Sequence, residues 1–386
     1  MPLRKYSSFI QFFTLLFFFV LSGLLVPLQC MGFDMAFEGR MKLDSLYYFS
    51  SPPFHKDFDN AFELRMGVLG NAWENDHLRL DYELSGNAIE VDGPSVQSGL
   101  RRETDVDFFR AWLRLDGGNF QIRGGRQKIL FGAGNIFRPL GFFDTRDITG
   151  VVPQTRGTDS IRTTYFFDST SFLQTWLVPA KLDDRMIVGA RWEGPLAGLD
   201  AGAVVQYHPE TDLKGLPNFA SELFQSGFHL KGEYEIGYWT EGRVDLQLGR
   251  QKQALRLDWT AGVDYTFNVG EGLHVLLEYF LSDRGRNFIA PALGNTLTVQ
   301  ELGVLFDQPI GIDMKWQVFS IYDLGDQTFQ IVPQIEYAVI QDLYLYIHGR
   351  WGGRASSGSR NGRLFQDSPV FSGKESAFGL SLVSYF

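Results

Sequence analysis

Apolar side chains fall at every second position along most of the chain. Phe33, Met35 and Phe37 alternate with Asp34, Ala36 and Glu38, and Leu78, Leu80, Tyr82 and Leu84 alternate with Arg79, Asp81 and Glu83. Trp259, Ala261, Val263, Tyr265 and Phe267 interleave with Asp258, Thr260, Asp264 and Thr266, and Leu273, Val275, Leu277, Tyr279 and Leu281 follow after one tight turn. Near the end, Leu343, Leu345, Ile347 and Trp351 stand opposite Tyr344, Tyr346, His348 and Arg350. A period of two is that of a strand with one apolar and one polar face. The pattern predicts strands over 33–48, 61–70, 76–86, 105–116, 119–127, 158–167, 171–179, 185–193 and 199–208. It continues over 226–237, 241–250, 255–268, 271–282, 298–308, 311–323, 328–339, 342–351 and 375–386. That is roughly eighteen strands, an even number, as closure of a single-chain antiparallel barrel requires.

The connections alternate in length. Short turns are expected around Trp73, Gly117-Gly118, Asp168-Ser169, Gly194-Pro195, Thr240, Val269-Gly270, Gln308-Pro309 and Gln341. The other connections include long ones at 49–60, 87–104, 128–157, 209–225, 283–297 and 352–374, with shorter ones at 180–184, 251–254 and 324–327. Short turns at one end and long loops at the other are the asymmetry of outer-membrane barrels, and place both termini at the periplasmic end. A soluble β-sandwich of this many strands would be outsized, and no fixed repeat of solenoid length is present.

Composition sharpens this reading. Aromatic residues make up 15%, with 35 Phe, and Gly numbers 42, yet charged residues still reach 21%. Mean hydropathy is close to zero. A transmembrane barrel accounts for both facts, because lipid-facing and water-facing side chains average out. The formal net charge of −10 argues against a nucleic-acid partner, and one cysteine excludes an internal disulfide framework.

Residues 1–32 read as a cleaved signal peptide, with Arg4 and Lys5 before an apolar run from Ile10 to Leu28 and a cleavage site near Gly32, an uncleaved anchor helix being the alternative. Residues 33–386 are then the barrel. Cys30 lacks the small preceding residues that a lipoprotein signal needs, since Val26-Pro27-Leu28-Gln29 stand there. At the other end, Phe378, Leu380, Leu382 and the final Phe386 share one strand face. This is similar to the C-terminal signal read by the barrel-assembly machinery.

Parity sorts charged residues onto the polar, lumen face. The first half contributes Arg40, Arg65, Arg79, Arg110, Arg114, Arg123, Arg162, Arg185 and Arg191. The second half contributes Glu233, Glu235, Asp245, Asp258, Asp264, Glu278, Glu301 and Glu336, with Lys231, Lys315 and Arg350 among them. In a meander barrel, a basic arc then faces an acidic arc across the pore, giving a transverse field; pairing of these charges across neighbouring strands is the alternative. The 128–157 connection is long, apolar in part and rich in Gly and Arg, so it is expected to be functional. It is read as folding into the lumen as a constriction that carries Arg138, Asp144, Arg146, Asp147 and Arg156, an outward cap being the alternative.

The run Ile122-Arg123-Gly124-Gly125-Arg126-Gln127, then Phe131-Gly132, a loop with Asp144 and Asp147, and Gly157-Thr158-Asp159-Ser160-Ile161-Arg162 resembles the alginate-export-like family of outer-membrane barrels. Related porin-like families share the Gly-Arg-Gln element. The resemblance implies an eighteen-stranded barrel and, in the namesake members, passage of an anionic polysaccharide through an arginine-lined lumen. The acidic residues of the second half depart from that pattern.

No zinc-protease, nucleophile-elbow or phosphate-loop motif is present, and His55, His77, His208, His229, His274 and His348 are scattered singly. The sequence therefore reads as an all-β, porin-like barrel of the bacterial outer membrane, without catalytic residues, metal or cofactor. It would sit in a lipid bilayer bearing lipopolysaccharide and pass small hydrophilic solutes, anionic ones among them. An export channel for an acidic exopolysaccharide and a non-conducting receptor or adhesin are the alternatives.

Overall fold

The computed structural model describes residues 34–49, 58–92, 102–180, 185–211, 221–249, 253–283, 298–325, 327–354 and 376–386. The expected signal peptide, with Cys30 and Gly32, lies outside the described residues. Eighteen strands are formed: β1 (Asp34–Tyr48), β2 (Phe58–Glu74), β3 (Arg79–Asp92), β4 (Arg102–Gly117), β5 (Phe120–Gln127) and β6 (Thr158–Phe166). They continue as β7 (Phe172–Pro179), β8 (Met186–Leu196), β9 (Leu199–Thr211), β10 (Ser221–Glu233), β11 (Gly237–Gly249) and β12 (Gln253–Phe267). The last are β13 (Leu273–Asp283), β14 (Thr298–Ile310), β15 (Met314–Asp323), β16 (Thr328–Ile340), β17 (Leu343–Arg354) and β18 (Ala377–Tyr385). Each pairs antiparallel with its neighbours in sequence, and β1 pairs with both β2 and β18, so that the sheet closes. Arg40 marks the seam, opposite Arg65 on one side and Tyr385 on the other. Among the described residues no helix is long and apolar enough to cross a membrane.

The two faces are inverted relative to a water-soluble protein. Leu113, Ile161, Leu173, Leu177, Val205, Phe224, Phe228, Leu255, Val263, Leu277 and Leu380 are exposed, while Arg110, Gln174, Gln206, Gln225, Glu241, Asp245, Asp258, Thr260, Glu278 and Ser381 are buried. A sandwich would bury its apolar face; here that face points outward, where lipid covers it. Ring pairs sit at the ends of the wall, Tyr165 with Phe167 and Tyr265 with Phe267 beside the short turns, and Tyr47 with Phe49 at the opposite end. Such rings suit the polar–apolar boundary of a bilayer. On the inner face, polar side chains link strand to strand. The Trp176 indole donates to Gln206 at 2.9 Å, Gln206 to Gln225 at 2.8 Å, and Gln225 to Asp245 at 3.1 Å. Each link satisfies a group that burial would otherwise penalise.

Strand boundaries depart from the sequence expectation mainly at turns. Trp73 lies within β2, and the chain reverses at residues 75–78, where the Asn75 side chain accepts from the backbone N–H of His77 and Leu78. A side chain that mimics a backbone turn fixes the corner there. The turn expected at Gln308-Pro309 falls at 311–313, with Gly311 at positive φ and its N–H donated to Glu271. The turn expected around Thr240 falls instead at 234–236, which puts Thr240 and Glu241 inside β11.

Outward burial in lipid makes a specific prediction. Val205, mid-strand on the exposed face of β9, tolerates Leu, whereas Val205→Arg lowers folding stability in lipid vesicles by about 2–4 kcal/mol. Denaturant titration of the vesicle-folded protein measures the difference.

Candidate functional site

The β5–β6 connection, 128–157, has no strand or helix of its own, so its apolar side chains and backbone donors must find partners elsewhere. They find them on the inner wall. Ile129, Phe131 and Leu140 pack with Trp176, Val178, Ile187 and Val204 of β7, β8 and β9. Ile136 and Phe137 pack with Trp239, Leu276, Phe319, Ile321 and Val332, farther round the barrel. Val151 reaches Tyr346 and Val383 on β17 and β18. The returning leg meets β1 and β2 through Arg40 to the Val152 carbonyl and Arg65 to Gln154, and β4 through Arg110 to the Thr155 carbonyl at 2.7 Å. The connection therefore lies inside the barrel and narrows it.

Two carboxylates hold its tip. Glu241 on β11 accepts from the backbone N–H of Gly134 at 3.0 Å and from that of Leu140. Glu278 on β13 accepts from the N–H of Asn135, Ile136 and Phe137 at 2.8, 2.7 and 2.7 Å, and from the Trp239 indole at 2.5 Å. Both glutamates are 0% exposed. Inward-facing glycines make the groove. A Cβ on Gly227 would meet Leu140, one on Gly262 would meet Trp239 and Glu278, and one on Gly303 would meet Ile136 and Phe137. Gly132, at positive φ, passes against the Glu241 carboxylate itself.

The loop is also braced internally. Asp144 receives Arg138 at 3.0 Å, the Thr155 hydroxyl at 2.6 Å and the Arg146 backbone N–H at 2.9 Å. Burial alone would raise its pKa, but these three partners outweigh that and hold the carboxyl below its ordinary range. Asp147 caps Thr149, and the Arg156 backbone bonds to Thr145 while its side chain stays exposed. Burial, and then the neighbouring Arg138 charge, lower the pKa of Arg146.

The predicted arginines divide by partner. Glu63 bridges Arg40 and Arg65 at 2.5 and 2.8 Å, and Arg65 stacks on Phe109 at 3.3 Å. Asp81 takes Arg114 at 2.5 Å and Arg79 at 2.8 Å, the latter half-exposed at the short-turn rim. Arg191 pairs with Glu193 at 2.5 Å and lies over Phe131 of the loop. Arg110, Arg123 and Arg162 have no carboxylate within ion-pairing distance among the described residues; Arg123 rests over Trp112 at 4.3 Å, and Arg162 points to the Lys128 carbonyl at 3.5 Å. Between loop and wall a cavity of about 220 Å³ is lined by Arg110, Lys128, Arg138, Arg146, Gln154 and Thr155 among others, with no acidic side chain in its lining. A second cavity, of about 400 Å³, shares Arg146 but is bounded mainly by Ile136, Leu276, Phe319, Gln334, Glu336 and Tyr346.

The acidic arc does not form a free face opposite. Asp245 and Asp258 bind Arg243 and Arg256, each two residues away on the same strand face, at 2.5 and 2.6 Å. Glu278 is sealed beneath the loop and fully buried, where a position open to the lumen was expected. Glu235 lies in the turn at 234–236, Glu233 is exposed at the end of β10, and Asp264 sits 3.5 Å from His274. Arg185 precedes β8 and lies outside the wall strands. Among the described residues no group of three His, Cys, Asp or Glu side chains is arranged to hold a metal ion.

The Gly-Arg-Gln element is structural at this site. Gly125 takes φ +114 where a Cβ would strike the Ala111 carbonyl. Arg126 pairs with Asp159 at 2.9 Å and Asp107 at 2.6 Å, and Gln127 donates to the Arg123 and Ser160 carbonyls. Together they fix the wall where the loop departs. Glu241 escaped sequence reasoning because a turn was placed beside it; the inward glycines on alternate strands were its available signal.

No protein-family model matches the chain, and no curated protein matches it. Solved structures do. The outer membrane protein opdK from Pseudomonas aeruginosa aligns at TM-score 0.60 and 10% identity, over 92% of this chain and 99% of that one. OccK2 (OpdF) of Pseudomonas aeruginosa, solved in complex with glucuronate, aligns at TM-score 0.59 and 8% identity over 92% and 98%. OccAB1 of Acinetobacter baumannii aligns at TM-score 0.57 and 10% identity over 92% and 96%. The chain thus has the fold of eighteen-stranded, porin-like outer-membrane barrels.

Proposed function

We propose that this protein is a porin-like channel of the bacterial outer membrane that passes small hydrophilic solutes passively and favours anions. The observation that carries this reading is the cavity between loop and wall, where Arg110, Lys128, Arg138 and Arg146 meet without an acidic lining residue. Among the described residues only Arg138 of these four has a carboxylate partner; Arg110 is met by backbone carbonyls and the Phe109 ring, and Arg146 by the Asn135 carbonyl. Fixed positive charge behind low-dielectric walls concentrates anions, and guanidinium groups bind carboxylate or phosphate in two-point fashion. The bound glucuronate of OccK2, an anionic sugar in a barrel of the same fold, supports the choice of solute class. Arg123 and Arg162 continue the basic lining along the wall, beside Arg65, Arg114 and Arg191, whose charges are paired with carboxylates.

In this reading residues 1–32 are the cleaved export signal, the short turns and both termini face the periplasm, and the longer loops face lipopolysaccharide outside. The outward Phe378, Leu380 and Phe386 of the last strand region offer the apolar face that the assembly machinery would engage. No step of chemistry is assigned to the barrel. An export path for an acidic polymer fits less well, because the loop meets the inner wall from β7 round to β2.

Planar-bilayer recording tests the proposal. The parent gives ohmic, anion-selective current; Arg123→Ala and Arg162→Ala each lower the anion preference several-fold, and an unchanged reversal potential would overturn the assigned selectivity. The preference also weakens as salt rises, because the screening length falls from about 10 Å at 0.1 M to about 3 Å at 1 M. Deleting 132–152 raises single-channel conductance; an equal conductance would remove the loop from the path.

A further inference from the structure

The tip of the constriction is held by charge in an unusual way. Glu241 and Glu278 are fully buried, and neither forms a salt bridge among the described residues. Their partners are neutral donors, the backbone N–H groups of Gly134 and Leu140 for one and of Asn135, Ile136 and Phe137 with the Trp239 indole for the other. Three successive N–H groups converging on one carboxylate form a nest, an arrangement that suits an anion. An ionised carboxylate offers only acceptors; a protonated one turns an O–H toward those same donors.

Apolar packing of Ile136, Phe137 and Leu140 and one hydrogen bond from Arg243 to the Pro139 carbonyl at 3.1 Å also hold the tip. In register, Glu241 faces His229 on β10 and Thr260 on β12, with Arg243 two residues along its own strand. Glu278 faces Gly262 on β12 and Gly303 on β14, with Asp258 and Asp264 farther along β12, Glu301 farther along β14 and His274 on its own strand. From the loop, Arg146 is the charged group whose field reaches Glu278.

We propose that Glu241 and Glu278 are the positioning residues of the constriction, holding segment 132–140 to the wall while ionised and releasing it when protonated, so that the aperture widens on acidification. This inference rests on the channel reading above. The apolar contacts of Ile136 and Phe137 fill the glycine groove, but the carboxylates fix where the backbone lies within it.

Single-channel recording from about pH 7.5 to about pH 4, across the ordinary carboxylate range, is the direct test. The parent should gain conductance on acidification. Glu278→Gln, and likewise Glu241→Gln, should already show the raised conductance at neutral pH and respond little to acid. Asp76→Asn, in the exposed short turn at 75–78, should keep the parental acid response. A parent whose conductance does not change with pH, or a Glu278→Gln channel identical to it, overturns the inference. A parent that carries no current would sink the channel reading, so loop release is also read without current. A nitroxide on Thr145→Cys, in a Cys30→Ser background folded in detergent, should be immobile at neutral pH and mobile in acid. In Glu278→Gln it should be mobile at both, and an immobile label throughout overturns the tether. Heat-dependent migration on a gel verifies that each variant has folded.

Discussion

Inside a bilayer an unpaired N–H or C=O group has no water to turn to, and the wall of this protein is organised around that constraint. Each strand bonds to the strands before and after it in sequence, and the first bonds to the last. Closure then fixes what the side chains can be. With successive residues on opposite faces, one set must suit hydrocarbon and the other water. Leucine and phenylalanine outside, with glutamine, aspartate and arginine inside, follow from the same hydrogen-bonded ring.

A ring of this many strands encloses more space than its own side chains fill. The 128–157 connection occupies part of that space, and it creates a second accounting of backbone polar groups, this time indoors. Without a ladder of its own, it borrows acceptors from the wall, chiefly Glu241 and Glu278. The wall in turn gives up side chains at Gly227, Gly262 and Gly303 to let it approach. Arg110 and Arg162, which face the loop, are met by carbonyls, whereas Arg40, Arg65, Arg191 and Arg243 also pair with carboxylates of the wall.

The strands were legible because their signal is local: alternation is read from a few consecutive residues. Even the short β5 and β7 were placed within a residue of their observed bounds. The inward connection was legible in part, since Phe131, Ile136 and Leu140 are too apolar for a solvated loop. Its partners were not, because Gly134 meets Glu241 across 107 positions of chain and Asn135 meets Glu278 across 143. A turn misplaced at Thr240 hid Glu241, as the face of a residue is known only when the strand holding it is known. Parity also left open whether the acidic arc stands free or is paired. Parity tells which way Asp245 and Asp258 point, but not that Arg243 and Arg256 point the same way and neutralise them.

Arg146 borders both cavities, the basic one and the larger one of mixed lining. A single guanidinium shared between two compartments cannot serve two like-charged guests with equal strength. Once a carboxylate settles on one side, the field felt from the other is largely discharged. In the channel proposed above, that would make passage one at a time at Arg146, with throughput levelling off as solute concentration rises.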